Sequence, residues 1–330
     1  MSAEFESGFF VRKPAWHRLG VVIDDYPGSW DEARKLAGLE WDVVEVPVFT
    51  REVEVDPFGI PSATYAEIPG QKGLARSDTG SILSVPKSTY GTITVADMGP
   101  IIEAVVQEDN VKYETTVVLD GGKKLAAVLR VDEPFQIPGD PSATYPYASV
   151  LNSFDGSTAC KVNRTTVRVV CANTFAAAEA EGQRSGLQFT FRHTKNWRDR
   201  VEDARRVINA TRAEAQEWRE LATQLSLLHV DEVQTRRFIA EFIPSPVEAL
   251  ISDRVAANVE EARAAIRAIL ASPTCDGIRD TAYGLVQASG EYLDHVRKAR
   301  SDATLFGRQL LRPEPLKARA VKLVREVVAA

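Results

Sequence analysis

The stretch KYETTVVLDGGKKLAAVLRV, Lys112 to Val131, sets two apolar runs on either side of Asp120-Gly121-Gly122. Glycine enters positive φ without steric cost, as a tight reversal between antiparallel strands requires, so the stretch reads as a β-hairpin. Its neighbours read the same way. WDVVEVPVFTREVEV (Trp41–Val55) has an apolar alternation in VVEVPVF, and Pro47 marks an edge or a bulge because it cannot donate to a ladder. GLARSDTGSILSVPKSTYGTI (Gly73–Ile93) places two short strands around Ser77-Asp78-Thr79-Gly80. Two helices interrupt this β-rich part. SWDEARKLAGL opens on Ser29 as a cap with acids in the first turn. TVADMGPIIEAVVQED puts Ile101, Ile102, Val105 and Val106 on one helical face. Without the strict βαβ alternation of a doubly wound sheet, the fold class is α+β, with a largely antiparallel sheet and flanking helices.

From about Asn196 the composition shifts to helix formers. WRDRVEDARRVINATRAEAQEWRELATQLSLL spaces Val201, Ala204, Val207, Ile208, Ala215, Trp218 and Leu221 or Ala222 at three to four residues, a long amphipathic helix. Beyond Pro244, two further helices are expected over Pro246–Ser272 and roughly Asp276–Arg300, and EPLKARAVKLVREVVAA closes the chain. The expected organisation is an α+β domain over residues 1–195 and a helical domain over 196–330.

Composition excludes several classes. With 330 residues, 44% hydrophobic and 26% charged, a sizeable core is easily filled, and no apolar run reaches the ~20 residues of a membrane span. The acids Glu4 and Glu6 leave no apolar core for a secretory signal. Cys160, Cys171 and Cys275 show no CxxC spacing, which fits a reducing cytoplasm, and the four histidines form no HExxH or HxH pair. There is no Walker loop, no GxGxxG after a strand and no GxSxG elbow, so neither cofactor nor metal is expected. Gly121-Gly122-Lys123-Lys124 lies between two strands and lacks the helix that would complete a phosphate loop. The net charge of −6 hides a gradient: residues 1–159 carry 13 Lys and Arg against 24 Asp and Glu, whereas residues 160–206 carry 10 against 5.

That basic segment holds the candidate site. In KVNRTTVRVVCANTFAAAEAEG (Lys161–Gly182), polar and β-branched residues alternate and then give way to an alanine-rich run. Arg164, Thr166 and Arg168 share one face of the strand, with Lys161 at its start. Asn173 or Thr174 would cap the helix that follows, whose unpaired N–H groups suit a phosphate. Farther on, FTFRHTKNWRDR brings Arg192, Lys195 and Arg198 beside Trp197, bases interleaved with an aromatic. Against these stands the bland reading of a capped helix and a solvated face. A cysteine hydrolase built on Cys171, His193 and Asn173 is outweighed: Asn173 is two residues from Cys171 and badly placed to orient an imidazole, and VRVVC makes Cys171 the last buried residue of a strand. No catalytic residue is assigned.

PAWHRLG, GLARSDTGSILSVPKSTYGTI, VVLDGGKKLAAVLRV, DGSTACKVNRTTVRVVCANT, FTFRHTKN and DTAYGLVQASGEYLDHVRKAR with ATLFG follow one another from Pro14 to Gly307. In this order they resemble the phage- and plasmid-like family of domain of unknown function 932. The likeness runs from about Trp16 to about Val324, and TxVRVVCANT and RHT are its most specific parts. Ala282-Tyr283-Gly284-Leu285-Val286 and Ser289 depart from the family's AYNAVTEY-like run. The resemblance implies carriage by phages, prophages or plasmids and hence a bacterial cytoplasm, but no activity. The expectation is a nucleic-acid-binding accessory of replication or recombination, single-stranded DNA favoured, of the annealing kind and homo-oligomeric, with no membrane partner. The competing reading is a non-enzymatic scaffold that meets a host or phage protein through its helical half.

Overall fold

The computed structural model describes residues 5–12, 20–106, 110–168, 189–191, 193, 196, 201–298 and 315–329. The Lys112–Val131 stretch forms β8 (Val111–Leu119) and β9 (Lys124–Val131), joined through Asp120, Gly121 and Gly122 at φ 56°, 66° and 86°. Three successive positive φ values explain why two of these residues are glycine. The hairpin is joined in one sheet by β1 (Phe5–Val11), β2 (Val21–Ile23), β10 (Phe135–Gln136), β11 (Ala143–Ser153), β12 (Cys160–Arg168) and β13 (Phe189–Phe191). The eight strands lie in the order β13-β12-β11-β9-β8-β1-β2, with β10 on β11. All pairs are antiparallel except β1 with β2.

Strand alternation divides β9 between two faces. Leu125, Ala127, Leu129 and Val131 enter the main core, whereas Ala126 joins a small apolar cluster on the other side with Phe10, Val117, Leu119 and Leu151. The main core is closed by α1 (Trp30–Leu36) and α2 (Met98–Val106). Ser29 accepts from the Glu32 amide at 3.2 Å, the expected cap, and Ile101, Ile102 and Val105 are fully buried. The Gly73–Ile93 segment supplies β6 (Gly73–Arg76) and β7 (Ile82–Ser84), which join β3 (Val43–Val46) in a three-stranded antiparallel sheet. Pro47 falls just after β3, before a separate hairpin of β4 (Phe49–Val55) and β5 (Pro61–Glu67).

The helical half has its own core. The long amphipathic segment is α3 (Val201–Leu227), with Trp218, Ala222 and Leu225 in that core. The helix also packs on α2, β11 and β12, so α3 joins the two cores. A helix absent from the sequence reading follows: α4 (Glu232–Phe242), whose start is a full capping box between Asp231 and Gln234. The helix expected from Pro246 begins seven residues later, as α5 (Asp253–Leu270), because the intervening Val247–Leu250 closes as a 3₁₀ turn. The next, α6 (Ala282–Glu291), passes into a π-turn over Tyr292–Val296, and α7 (Pro315–Ala329) closes the chain. The loop between β10 and β11 docks into the helical core. Ile137 is buried there, Asp140 accepts from the Tyr283 hydroxyl at 2.9 Å, and Gly139 meets Gly277 backbone to backbone.

Candidate nucleic-acid interface

The face of the large sheet turned away from the main core gathers cations and tyrosines. Register places Lys112 of β8, Arg130 of β9 and Tyr147 of β11 in one row across three strands. Two residues earlier on β11, Tyr145 shares that face, and its ring lies 6.3 Å from that of Tyr147 at an interplanar angle of 18°. Tyr26, just beyond β2, comes back onto the row, and Arg130 Nη1 donates to its hydroxyl at 2.8 Å. Three cations surround the Tyr26 ring: Arg12 at 5.2 Å from its centroid, Lys112 at 5.4 Å and Arg130 at 6.0 Å. Arg130 also stands 5.0 Å from the centre of the Tyr145 ring. Arg12 reaches this place because the chain leaves β1 in a left-handed conformation, φ 65°, with its amide on the Ile23 carbonyl. The acids nearby are partly engaged: Glu133 takes Arg130 at 2.5 Å and Lys112 at 3.6 Å, while Asp132 takes Arg212 at 2.9 Å.

Glu114 stands in the middle of this group by an irregularity of the ladder. Tyr113 pairs with Leu129 and Thr115 with Val128, so Glu114 is the extra residue of a β-bulge, a device that re-aims a side chain. Its Oε2 is buried with no hydrogen-bond partner. Burial pushes the carboxyl above the usual carboxylate range, partly offset by Arg130, the Tyr26 hydroxyl and Arg12. Burial and then the charge of Glu114 raise the Tyr26 phenol, and the same two causes raise that of Tyr147. A carboxyl raised on folding binds its proton more tightly in the native than in the unfolded chain, so its contribution to stability falls as pH rises from the unfolded toward the folded pKa. Glu114→Gln is therefore expected to flatten the decline in stability between about pH 4 and pH 7, read as urea midpoints of both proteins across that range. Equal slopes would show that Glu114 titrates as an ordinary carboxylate.

The sequence-predicted residues fall around this surface unevenly. Lys161 is half-buried on β12, paired with Leu151 on one side and Thr190 on the other. Arg164 pairs with Ala148 and Arg168 with Thr144, rows of the opposite parity to Lys161, so the register separates Lys161 from the two arginines. Asn173, Thr174, Arg192, Lys195, Trp197 and Arg198 lie outside the described residues, as does Cys171. His193 stacks on Tyr90 at 4.7 Å, and burial lowers its pKa. Cys160 is buried, and burial pushes its thiol up to about 12, which leaves no thiolate for nucleophilic attack. Arg12, Tyr26, Lys112, Glu114, Arg130, Tyr145 and Tyr147 were not singled out from the sequence. The one signal within reach was the spacing of Tyr145 and Tyr147 in ATYPYASV, two aromatics on one strand face.

A family described as domain of unknown function, DUF932, matches residues 82–312. The chain belongs to the DUF932 family. No curated protein and no solved structure matches it. The DUF932 span contains the whole cross-strand row of Lys112, Arg130 and Tyr147, together with Glu114, Tyr145 and β12, whereas Arg12, Tyr26 and the β4–β5 hairpin precede it. Among the described residues no three His, Cys, Asp or Glu side chains form a metal-binding group, and no helix is long and apolar enough to cross a membrane.

Proposed function

We propose that the protein is a nucleic-acid-binding accessory, with single-stranded DNA the favoured ligand, serving phage or plasmid replication or recombination as a homo-oligomer. The observation that carries this reading is the Tyr26 ring flanked by Arg12, Lys112 and Arg130 beside the Tyr145–Tyr147 pair on one sheet face. Aromatic faces take bases without regard to sequence, and cations beside them take the phosphates. Tyr145 and Tyr147 are half-buried, and the exposed parts of their rings offer unpaired bases a place to stack that a closed duplex cannot use. Lys161 of β12, whose register partner Leu151 shares the parity of Tyr145 and Tyr147, adds positive charge on that face.

Fluorescence anisotropy with labelled oligonucleotides tests the reading. With stacking worth about 1–3 kcal/mol per base, Tyr145→Ala and Tyr147→Ala are each expected to weaken single-strand binding by roughly 5- to 150-fold. Arg12→Ala and Lys112→Ala are expected to lower the slope of log K against log salt by about 0.7 each. Failure of the wild-type protein to bind single- or double-stranded oligonucleotides at low salt ends the proposal.

The scaffold reading keeps one supporting observation. Val247, Leu250 and Ile251, at the turn between α4 and α5, are all strongly exposed. Leu250→Glu with Ile251→Glu would abolish stoichiometric capture of a protein partner on this reading and leave oligonucleotide binding unchanged.

A further inference from the structure

The β4–β5 hairpin contributes nothing to either core: every residue of both strands is exposed. It is nevertheless built with care. At its tip Asp56 Oδ1 accepts from the amides of Phe58 and Ile60, and Gly59 turns at φ 80° between Pro57 and Pro61. A two-stranded ribbon by itself is marginally stable at best in water, so an ordered one needs something against its apolar side. Register shows which side that is. Phe49, Arg51, Val53 and Val55 share a face with Glu67, Tyr65, Ala63 and Pro61, while Thr50, Glu52 and Glu54 share the other with Ala66, Thr64 and Ser62. The first face is apolar and uncovered: Phe49 is 51% exposed, Val53 52% and Tyr65 66%, and Phe58 at the tip 88%.

We infer that this hairpin is a dimerisation arm whose apolar face packs on the same face of a second copy of the chain. The inference is independent of nucleic-acid binding. Charge selects the occupant. Glu52 and Glu54 lie on the far face and stay in solvent when two apolar faces meet, whereas an arm this acidic would be repelled by nucleic acid or by an anionic membrane. The only charges on the apolar face are Arg51 and Glu67, one of each sign, and neither has an ion-pair partner among the described residues. A two-fold axis running along the arms sets β4 of one copy over β5 of the other. Arg51 then covers Tyr65 of the second copy and lies within diagonal reach of its Glu67, and the reciprocal contact follows by symmetry. Seven residues per strand give a face about 24 Å long, so two arms bury an area near the ~1,000 Å² lower bound of specific interfaces. Such a dimer is reversible and concentration-dependent.

Sedimentation velocity on the full chain tests the arm. Wild type is expected to pass from monomer toward dimer over about 1–100 μM, the range of an interface this small. Val53→Glu should remain monomeric while keeping its far-ultraviolet circular dichroism, since the position is exposed. Arg51→Glu and Glu67→Arg should each weaken self-association, because each brings like charges together twice across the two-fold. Mixed in equal amounts, the two variants should associate at least tenfold more tightly than either alone, because each inter-arm contact then joins opposite charges. A wild type that stays monomeric throughout, a Val53→Glu protein that associates like wild type, or a mixture no tighter than its components would each overturn the arm.

Discussion

Lys317→Met is expected to cost about 3–5 kcal/mol of stability, although Met nearly matches the volume it replaces. Lys317 stands in the first turn of α7, and its Nζ lies 2.9 Å from both carboxylate oxygens of Asp294. The two side chains are 5% and 0% exposed. Asp294 belongs to the π-turn that ends α6, so this ion pair ties the last helix to the middle of the helical core. Taking the ammonium away removes a charge that compensates a carboxylate sealed from water, and the expected loss follows from that desolvation penalty. Replacing both partners, Asp294→Leu with Lys317→Met, removes the charge with its counter-charge and should recover most of the loss. Urea midpoints followed by circular dichroism decide the matter. A single variant within about 1 kcal/mol of wild type would mean that the pair does not hold α7 in place.

The second large effect is expected at Gly277→Ala. Gly277 has φ 80°, and an added Cβ would fall 2.4 Å from the Gly139 carbonyl oxygen. The left-handed backbone alone costs a residue with a Cβ about 1–2 kcal/mol, and pressing that carbon into a neighbouring main chain adds roughly 1–3 more. The contact joins the β10–β11 loop to the helical half beside the Tyr283–Asp140 hydrogen bond, so its loss should loosen the sheet from the helices. Gly156→Ala supplies the comparison. Its φ is 73° with nothing within 4 Å of the added carbon, so only the backbone term of about 1–2 kcal/mol is expected. Gly139→Ala strikes the same contact, and combining it with Gly277→Ala should therefore be less than additive. Equal thermal shifts for Gly156→Ala and Gly277→Ala would show that the close approach carries no weight.

Each successful sequence expectation rested on a local code. The β8–β9 hairpin followed from Asp120-Gly121-Gly122, the α1 start from Ser29, and the burial of Ile101, Ile102 and Val105 on α2 and of Ala215, Trp218 and Ala222 on α3 from three-four spacing. The start of α4 is written in the same code, since Asp231 and Gln234 stand at capping-box spacing. The late start of α5 was a different matter. Nothing in the periodicity of Pro246–Ser272 separates a 3₁₀ turn at Val247–Leu250 from a first helical turn, because the two differ by one residue in hydrogen-bond spacing and four residues of pattern do not resolve that.

The candidate site obeyed other rules. Counting charge along the chain pointed to residues 160–206, yet Arg12, Lys112 and Arg130 gather around Tyr26 within the most acidic part of the sequence. Net charge averages over every surface a segment lines, whereas a binding face samples a few residues from several segments. Turns, caps and periodicity are written in neighbouring residues, and for that reason the α+β class, the antiparallel hairpins, most helices and the family likeness were legible before any fold was known. That β11 lies beside β9, that a bulge places Glu114 near Arg130, and that Tyr26 folds back over them emerge only in the folded chain. Those outcomes depend on strand order and register, which are fixed by contacts between distant residues such as Tyr26 and Arg130, 104 positions apart.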